Sequence, residues 1–543
     1  MLRPFSRVAI STTRLTVAQK TSSKLAAAQR TGWLHTASSS VSDTPEFKPI
    51  HEIRSPSYTK SIGDCSRILV SEHTINCPLN YSDLSFGTIE VHATVIDLLP
   101  ESAESSKITS FLNAGYAPKE MAEQYKKLFN QSTRMTTKSI LYLQGGPGFQ
   151  APRPNTSLSI SSSSKSSWVS SAFSSNFNRL VLLDQRGTGQ STPVTSQTLS
   201  FKFTIDQVKK TSDYLTNFRA TQICEDAELF RKALHDDTTS WEAVIGQSYG
   251  GFCLATYLTT KSPLMIKNAL FTGGIPPVYV EDVKEVYDKL WVKVVERNDK
   301  FYGVYPGDVE VVKEIVKSLK LKPQNLPGGG VLTARRFLQL GINLGGGPGA
   351  FEGLHELFAT AFVKDFEGCK VISKNFLRAV EREQPFDTNP IYALLHESIY
   401  CESGGSSRWA AERSLEEHEV KHLFDYESRC ESGDEEVKVY FYGEMVFPWM
   451  FEDYEELVGL KEVAEDLARR EDWGELYGRE KVEARGACAI YHDDMYVDRE
   501  LSLEVLDKLL VGVEPWITNE YQHSGLRDAG AIIFDKLLEK SKD

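Results

Sequence analysis

Cysteine is scarce and scattered in this chain: Cys65, Cys77, Cys224, Cys253, Cys369, Cys401, Cys430 and Cys488 are all there is among 543 residues. No Cys-x-x-Cys occurs and no Cys/His cluster has ligand spacing, which argues against a structural zinc site. Such sparse usage suits a reducing compartment. Long apolar runs are also missing, since none approaches the roughly 20 residues that a membrane-spanning helix needs. Positive charge is in deficit, with 61 Lys and Arg against 74 Asp and Glu. A net charge of -13 repels polyphosphate and argues against nucleic-acid binding. Acid, in turn, is absent from residues 1–42, which carry Arg3, Arg7, Arg14, Lys20, Lys24 and Arg30 among many Ser, Thr and Ala. A basic, acid-free, hydroxyl-rich segment without an apolar h-region is the composition of an organellar transit peptide rather than a secretory signal. Residues 1–45 are therefore expected to lie outside the fold, as a transit peptide or a disordered tail. The expected localisation is intracellular: mitochondrial on the evidence of that N-terminus, otherwise cytoplasmic.

What remains has the composition of a globular protein, with 41% hydrophobic and 25% charged residues. It is too long for one ordinary core, so an insertion or a second domain is expected. Residues 87–97 alternate apolar and polar with β-branched enrichment, the pattern of an antiparallel strand. Residues 117–130 read as a short surface helix, and the serine-rich stretch 157–175 as an exposed loop. Short apolar strands at 139–143, 179–183, 243–247 and 268–273 alternate with loops and helical spacing, which predicts a mostly parallel sheet with helices on both faces. From about 277 to 485 the pattern turns mainly helical, and strand patterns return at 486–491 and 511–520. The expected organisation is a core over 46–276, a large, mainly helical cap over 277–485 and the end of the core over 486–543.

The densest signal is Gly246-Gln247-Ser248-Tyr249-Gly250-Gly251, which follows an apolar strand and opens a helix. Glycines two residues either side of a serine let the backbone make a sharp strand-to-helix turn that exposes the hydroxyl. A serine hydroxyl attacks a carbonyl only with a histidine base, which a carboxylate must orient. In doubly wound hydrolases the chain order is Ser, acid, His. His523, in a loop after the last core strand, fits the base, and the end of the preceding strand offers Asp493 and Asp494, between which spacing does not choose. The oxyanion of a tetrahedral intermediate needs preorganised N–H donors. The Tyr249 amide and that of Gly146, in Gly145-Gly146-Pro147-Gly148 after an earlier strand, are the candidates. A second Gly-Gly-Pro-Gly at 346–349 falls inside the cap, where the fold places no oxyanion loop.

Gly-Gly-Pro-Gly at 145–148, Asp184-Gln185-Arg186-Gly187-Thr188-Gly189-Gln190-Ser191 and Gly246-Gln-Ser-Tyr-Gly-Gly251, in that order, resemble the proline iminopeptidases of the α/β-hydrolase superfamily. The resemblance covers about residues 74–538. It implies an α/β-hydrolase fold, Ser248 as nucleophile, His523 as base and Asp494, directly before Met495, as the acid. It also implies cap glutamates that grip the substrate's α-amino group, for which Glu397 in Glu397-Ser-Ile-Tyr400 and Glu444 in Gly443-Glu444-Met445 are the candidates. Gln144 stands where the usual members have His, and Tyr249 where many have Trp. The expected function is a serine aminopeptidase releasing N-terminal proline, or a similar residue, from short peptides, with no metal or organic cofactor. The expected partner is a small peptide or amide, not a nucleic acid or a membrane. Alternatives are an esterase or amidase of non-peptide substrates, or a catalytically silent binding protein.

Overall fold

The computed structural model describes residues 51–62, 66–99, 138–154, 167–199, 204–235, 237–347 and 349–542. The N-terminal 45 residues and the helix expected over 117–130 lie outside the described residues. Nine strands build one sheet: β1 (His51–Ile62), β2 (Ser66–Pro78), β3 (Thr88–Leu99), β4 (Ser139–Leu143), β5 (Arg179–Leu183), β6 (Ala243–Gln247), β7 (Ala269–Thr272), β8 (Val482–Tyr491) and β9 (Leu510–Thr518). Their spatial order is β1-β2-β3-β5-β4-β6-β7-β8-β9. The first three form an antiparallel meander, and β3 joins β5 antiparallel. From β5 to β9 every ladder is parallel.

The central strands are mainly apolar because both of their faces are covered. All five residues of β4 and all five of β5 are buried. β2 and β3 alternate between two cores instead: Ile68, Val70 and Ile96 pack on one face of the sheet, Leu69, Val91, Ala93 and Val95 on the other. The first face is covered by helix Trp168–Ser174 and the C-terminal helix Gly530–Lys540, whose Phe534 packs against Trp168 and Phe177. Over 167–175 the structure corrects the sequence reading, which took 157–175 for an exposed loop; residues 157–166 lie outside the described residues. Trp168, Val169 and Ala172 stand among the serines at helical spacing and are buried.

The other face carries helices Ala220–Leu234 and Tyr249–Thr260 and, between β7 and β8, the long cap. The cap is built of helices, including Lys284–Val304 and Asp308–Leu321, with two short hairpins. Its aromatic centre, where Phe301, Phe337 and Phe358 meet Phe441, belongs to the same apolar cluster as that face of the sheet. β8 starts at Val482, four residues earlier than the pattern predicts.

One buried cation joins the meander to the helices. Arg186 is 1% exposed and makes a two-pronged pair with Asp226 at 2.6 and 2.8 Å. Its remaining donors reach the carbonyls of Pro78, Leu79 and Asn217 at 2.6–3.2 Å. Removing one member of a buried pair strands the other charge in the interior, at about 3–5 kcal/mol. Arg186→Met should therefore lower the unfolding free energy by that amount in urea titrations. A loss below about 1 kcal/mol, the size of a surface pair, would contradict this role.

Candidate active site

Ser248 occupies the turn between β6 and helix Tyr249–Thr260 with φ 54° and ψ -127°. L-residues rarely adopt positive φ, so such a turn survives only where its surroundings impose it. They do so by close packing of glycines. A Cβ on Gly250 would lie 2.0 Å from the Leu143 carbonyl oxygen, one on Gly251 2.2 Å from that of Gly274, and one on Gly274 2.2 Å from that of Ser248 itself. The Ser248 N–H donates to the Thr272 carbonyl at 3.1 Å, tying the elbow to the end of β7.

The loops after β8 and β9 bring two further groups to this hydroxyl. His523 Nε2 is 2.8 Å from Ser248 Oγ, and His523 Nδ1 is 2.7 Å from Asp494 Oδ2. Asp494 is 2% exposed, and its other oxygen accepts the N–H groups of Tyr496 and Val497 at 2.9 and 3.2 Å. Its neighbour Asp493 points the other way, to Lys300 and His492, which hold its carboxyl at about 2. The Tyr496 ring lies edge-on to the His523 ring, with centroids 4.7 Å apart. Burial disfavours the charged imidazolium, but the Asp494 carboxylate outweighs it and Glu444 adds to the pull, so the His523 pKa is raised.

The glycine loop after β4 lies against the elbow. A Cβ on Gly145 would sit 2.9 Å from the Ser248 Cβ. Tyr249 opens a helix, where the first amides have no intrahelical acceptor. The glycine loop thus packs against the Ser248 side chain, next to the turn from which the Tyr249 N–H starts the helix. The second Gly-Gly-Pro-Gly serves elsewhere: Cβ atoms on Gly345 and Gly347 would strike Tyr496 and Asp528, so this stretch presses the cap onto the loop that carries His523.

The two cap glutamates fare differently. Glu397 is buried, and its oxygens accept the Ala410 and Ala411 N–H groups at 3.0 and 2.9 Å, at the start of helix Ala410–Glu417. Burial, only partly offset by those bonds and by Ser407, raises its pKa. Glu444 is 12% exposed, and its Oε1 has no hydrogen-bond partner among the described residues. That oxygen is 3.6 Å from Nε2 of His396, whose ring is also without a hydrogen bond and stacks on Tyr392. Tyr392 in turn donates to the Glu444 carbonyl at 2.8 Å. A Cβ on Gly148 would meet the Tyr392 backbone nitrogen at 2.9 Å, so this cap helix roofs the glycine loop. Arg219, from the core, is 4% exposed and donates to the carbonyls of Ser398, at 2.7 Å, and Cys401, anchoring the turn that holds Glu397. Sequence reasoning passed over Tyr496, His396 and Arg219, and only the hydrophobic run around Tyr392 and His396 hints that they are buried.

Residues 138–318 match the family described as alpha/beta hydrolase fold. The chain is 40% identical over 409 residues to the proline iminopeptidase of Aeromonas sobria, covering 74% of this chain and 87% of that protein. The chain belongs to the proline iminopeptidase family. A second family member, proline iminopeptidase aneH of Aspergillus aculeatus, is 32% identical over 412 residues, covering 74% of this chain and 85% of its own. Among solved structures, esterase E22 aligns with 87% of this chain and all of its own at 9% identity and a TM-score of 0.39.

In this proline iminopeptidase family member the reactivity of Ser248 should follow His523. A base must be neutral to take the hydroxyl proton, and the raised pKa keeps the imidazole protonated to higher pH. Labelling of Ser248 by a fluorophosphonate should therefore rise along an acid limb with its midpoint above about 6.5, the ordinary imidazole value. Asp494→Asn should slow labelling by roughly 10³–10⁴-fold, as loss of the orienting carboxylate does in such triads. A midpoint at or below the ordinary value would contradict the geometry.

Proposed function

We propose that this protein is a serine aminopeptidase that releases N-terminal proline, or a similar residue, from short peptides through an acyl-enzyme. The observation that carries the proposal is the hydrogen-bonded line Ser248–His523–Asp494, together with the Glu444 carboxylate, whose Oε1 has no hydrogen bond among the described residues. The relatives in Aeromonas sobria and Aspergillus aculeatus bear the same name for their activity.

In this reading the Ser248 Oγ attacks the carbonyl carbon of the first residue while His523 Nε2 takes its proton. Asp494 holds the imidazole in the tautomer with Nε2 free and stabilises the imidazolium that forms. The amides of Gly146 and Tyr249 receive the oxyanion, donors whose loss costs on the order of 10²–10³-fold in such sites. His523 then passes the proton to the leaving amine and the C–N bond breaks. Water, deprotonated by the same base, attacks the acyl-enzyme, and the amino acid leaves as Ser248 regains its proton.

An exopeptidase must also bind the substrate's ammonium in a partly desolvated site, where a carboxylate is the natural partner. Glu444 has the free acceptor for this. Glu397, whose oxygens are committed to the Ala410 and Ala411 amides, supports the wall of the subsite and adds negative potential.

A charge-assisted hydrogen bond contributes about 1.5–3 kcal/mol, so Glu444→Gln should lower kcat/KM for a proline arylamide by about 10- to 100-fold. Hydrolysis of a simple activated ester should change far less, since there Glu444 acts only through its pull on the His523 proton. The substrate panel compares the free arylamide with its N-blocked analogue. Equal cleavage of the two by the wild type would sink the aminopeptidase reading and favour an amidase. Full turnover by Ser248→Ala would remove the assigned nucleophile.

A further inference from the structure

In the turn Asp184–Ser191 the polar residues Asp184, Gln185, Arg186, Thr188 and Ser191 are buried. Gln185 is 1% exposed, and its Nε2 donates to the carbonyl of Gln144 at 2.8 Å. Gln144 is the residue immediately before Gly145. Asp184 is fully buried, and its Oδ1 accepts the Ala151 N–H at 3.0 Å and Arg153 Nη1 at 3.0 Å. Its Oδ2 accepts the Gln190 N–H at 2.9 Å. The glycine loop is therefore held at its entrance by one residue of the turn and just past its exit by the preceding one.

The turn is itself fixed in place. A Cβ on Gly189 would fall 2.3 Å from Asp184 Oδ2, so only glycine leaves the carboxylate room. Ser191 Oγ donates to the Asp184 carbonyl at 2.6 Å and accepts the His92 N–H at 2.8 Å. The buried His92 ring lies between Glu72 at 2.5 Å and Asp184 at 3.4 Å, and Asp184 in turn pairs with the half-buried Arg153.

We propose that Asp184 and Gln185 are positioning residues for the oxyanion loop: together they clamp residues 144 to 153 so that the Gly146 N–H points where negative charge develops. The inference rests on the oxyanion role proposed above for Gly146. Such a clamp acts on the transition state and not on ground-state binding, because the carbonyl oxygen needs the amide most when it carries charge.

The test uses Gln185→Leu and Asp184→Asn in the full chain, with circular dichroism melts to establish folding. Each should lower kcat for a proline arylamide by about 10- to 100-fold, part of the effect of deleting an oxyanion donor, with KM unchanged. Affinity for prolinal, whose aldehyde forms a tetrahedral adduct on Ser248, should fall in parallel, while affinity for proline, which forms none, stays the same. A merely structural role would move both affinities or neither. Hydrolysis of p-nitrophenyl acetate should fall by the same factor as arylamide turnover. That ester needs Ser248 and the loop but no amine subsite, so it reads the clamp even if the aminopeptidase assignment fails. Should Gln185→Leu not fold, Gln185→Met fills the same space. Unchanged kcat in folded variants, or equal losses of prolinal and proline affinity, would overturn the proposal.

Discussion

The structure depends on a single unfavourable backbone conformation. Ser248, at φ 54°, holds a state that costs of order 1–3 kcal/mol and is kept only where neighbours leave no alternative. The neighbours are β4, β7 and the first turn of the following helix, pressed together at glycines with no room for a Cβ. The strands that meet there are buried on both faces, so their position is set by the largest core in the molecule. The exposed hydroxyl is thus a product of packing.

Around that hydroxyl the electrostatics run in one direction. Asp494 and Glu444 both favour a proton on His523, against burial and the positive charge of Arg527. Farther out, buried charges occur in satisfied groups: Arg186 with Asp226, Arg179 with Asp97, and Asp184 with Arg153 and His92. Glu444 differs in having an oxygen that no described group satisfies. In the proposed amine-binding role, an ammonium beside Glu444 would weaken the field on His523 and release the base from part of the pull that holds its proton.

What the sequence disclosed depended on how local the determinants were. The elbow was readable because glycines, serine, strand and helix lie within a dozen residues, and the parallel strands because burial on both faces makes them continuous apolar runs. Asp493 and Asp494 could not be separated by spacing, since adjacent residues differ only in which way the loop turns them. One meets Lys300 at the surface, the other two backbone amides and an imidazole. Glu397 became a candidate amine partner through the resemblance of Glu397-Ser-Ile-Tyr400 to the family's motif, which does not show what else bonds to its carboxylate. The competing N–H groups arrive 13 and 14 residues later, when a helix begins at Ala410. Trp168 was hidden for the opposite reason, since the serines around it dominate the composition while its packing partner, Phe534, is hundreds of residues away.

The cap lies between the nucleophile and its partners in the chain, although the three groups meet in space. Ser248 and His523 are 275 residues apart, and β8 and β9, which deliver Asp494 and His523, follow the whole of the cap. During synthesis, which proceeds from the N-terminus and folds early segments first, the elbow can form long before its base exists. For most of its elongation the nascent protein therefore carries a serine without a proton acceptor. It becomes a hydrolase only when the final segment brings His523 to Ser248, so the whole cap has been made before the first bond can be cut.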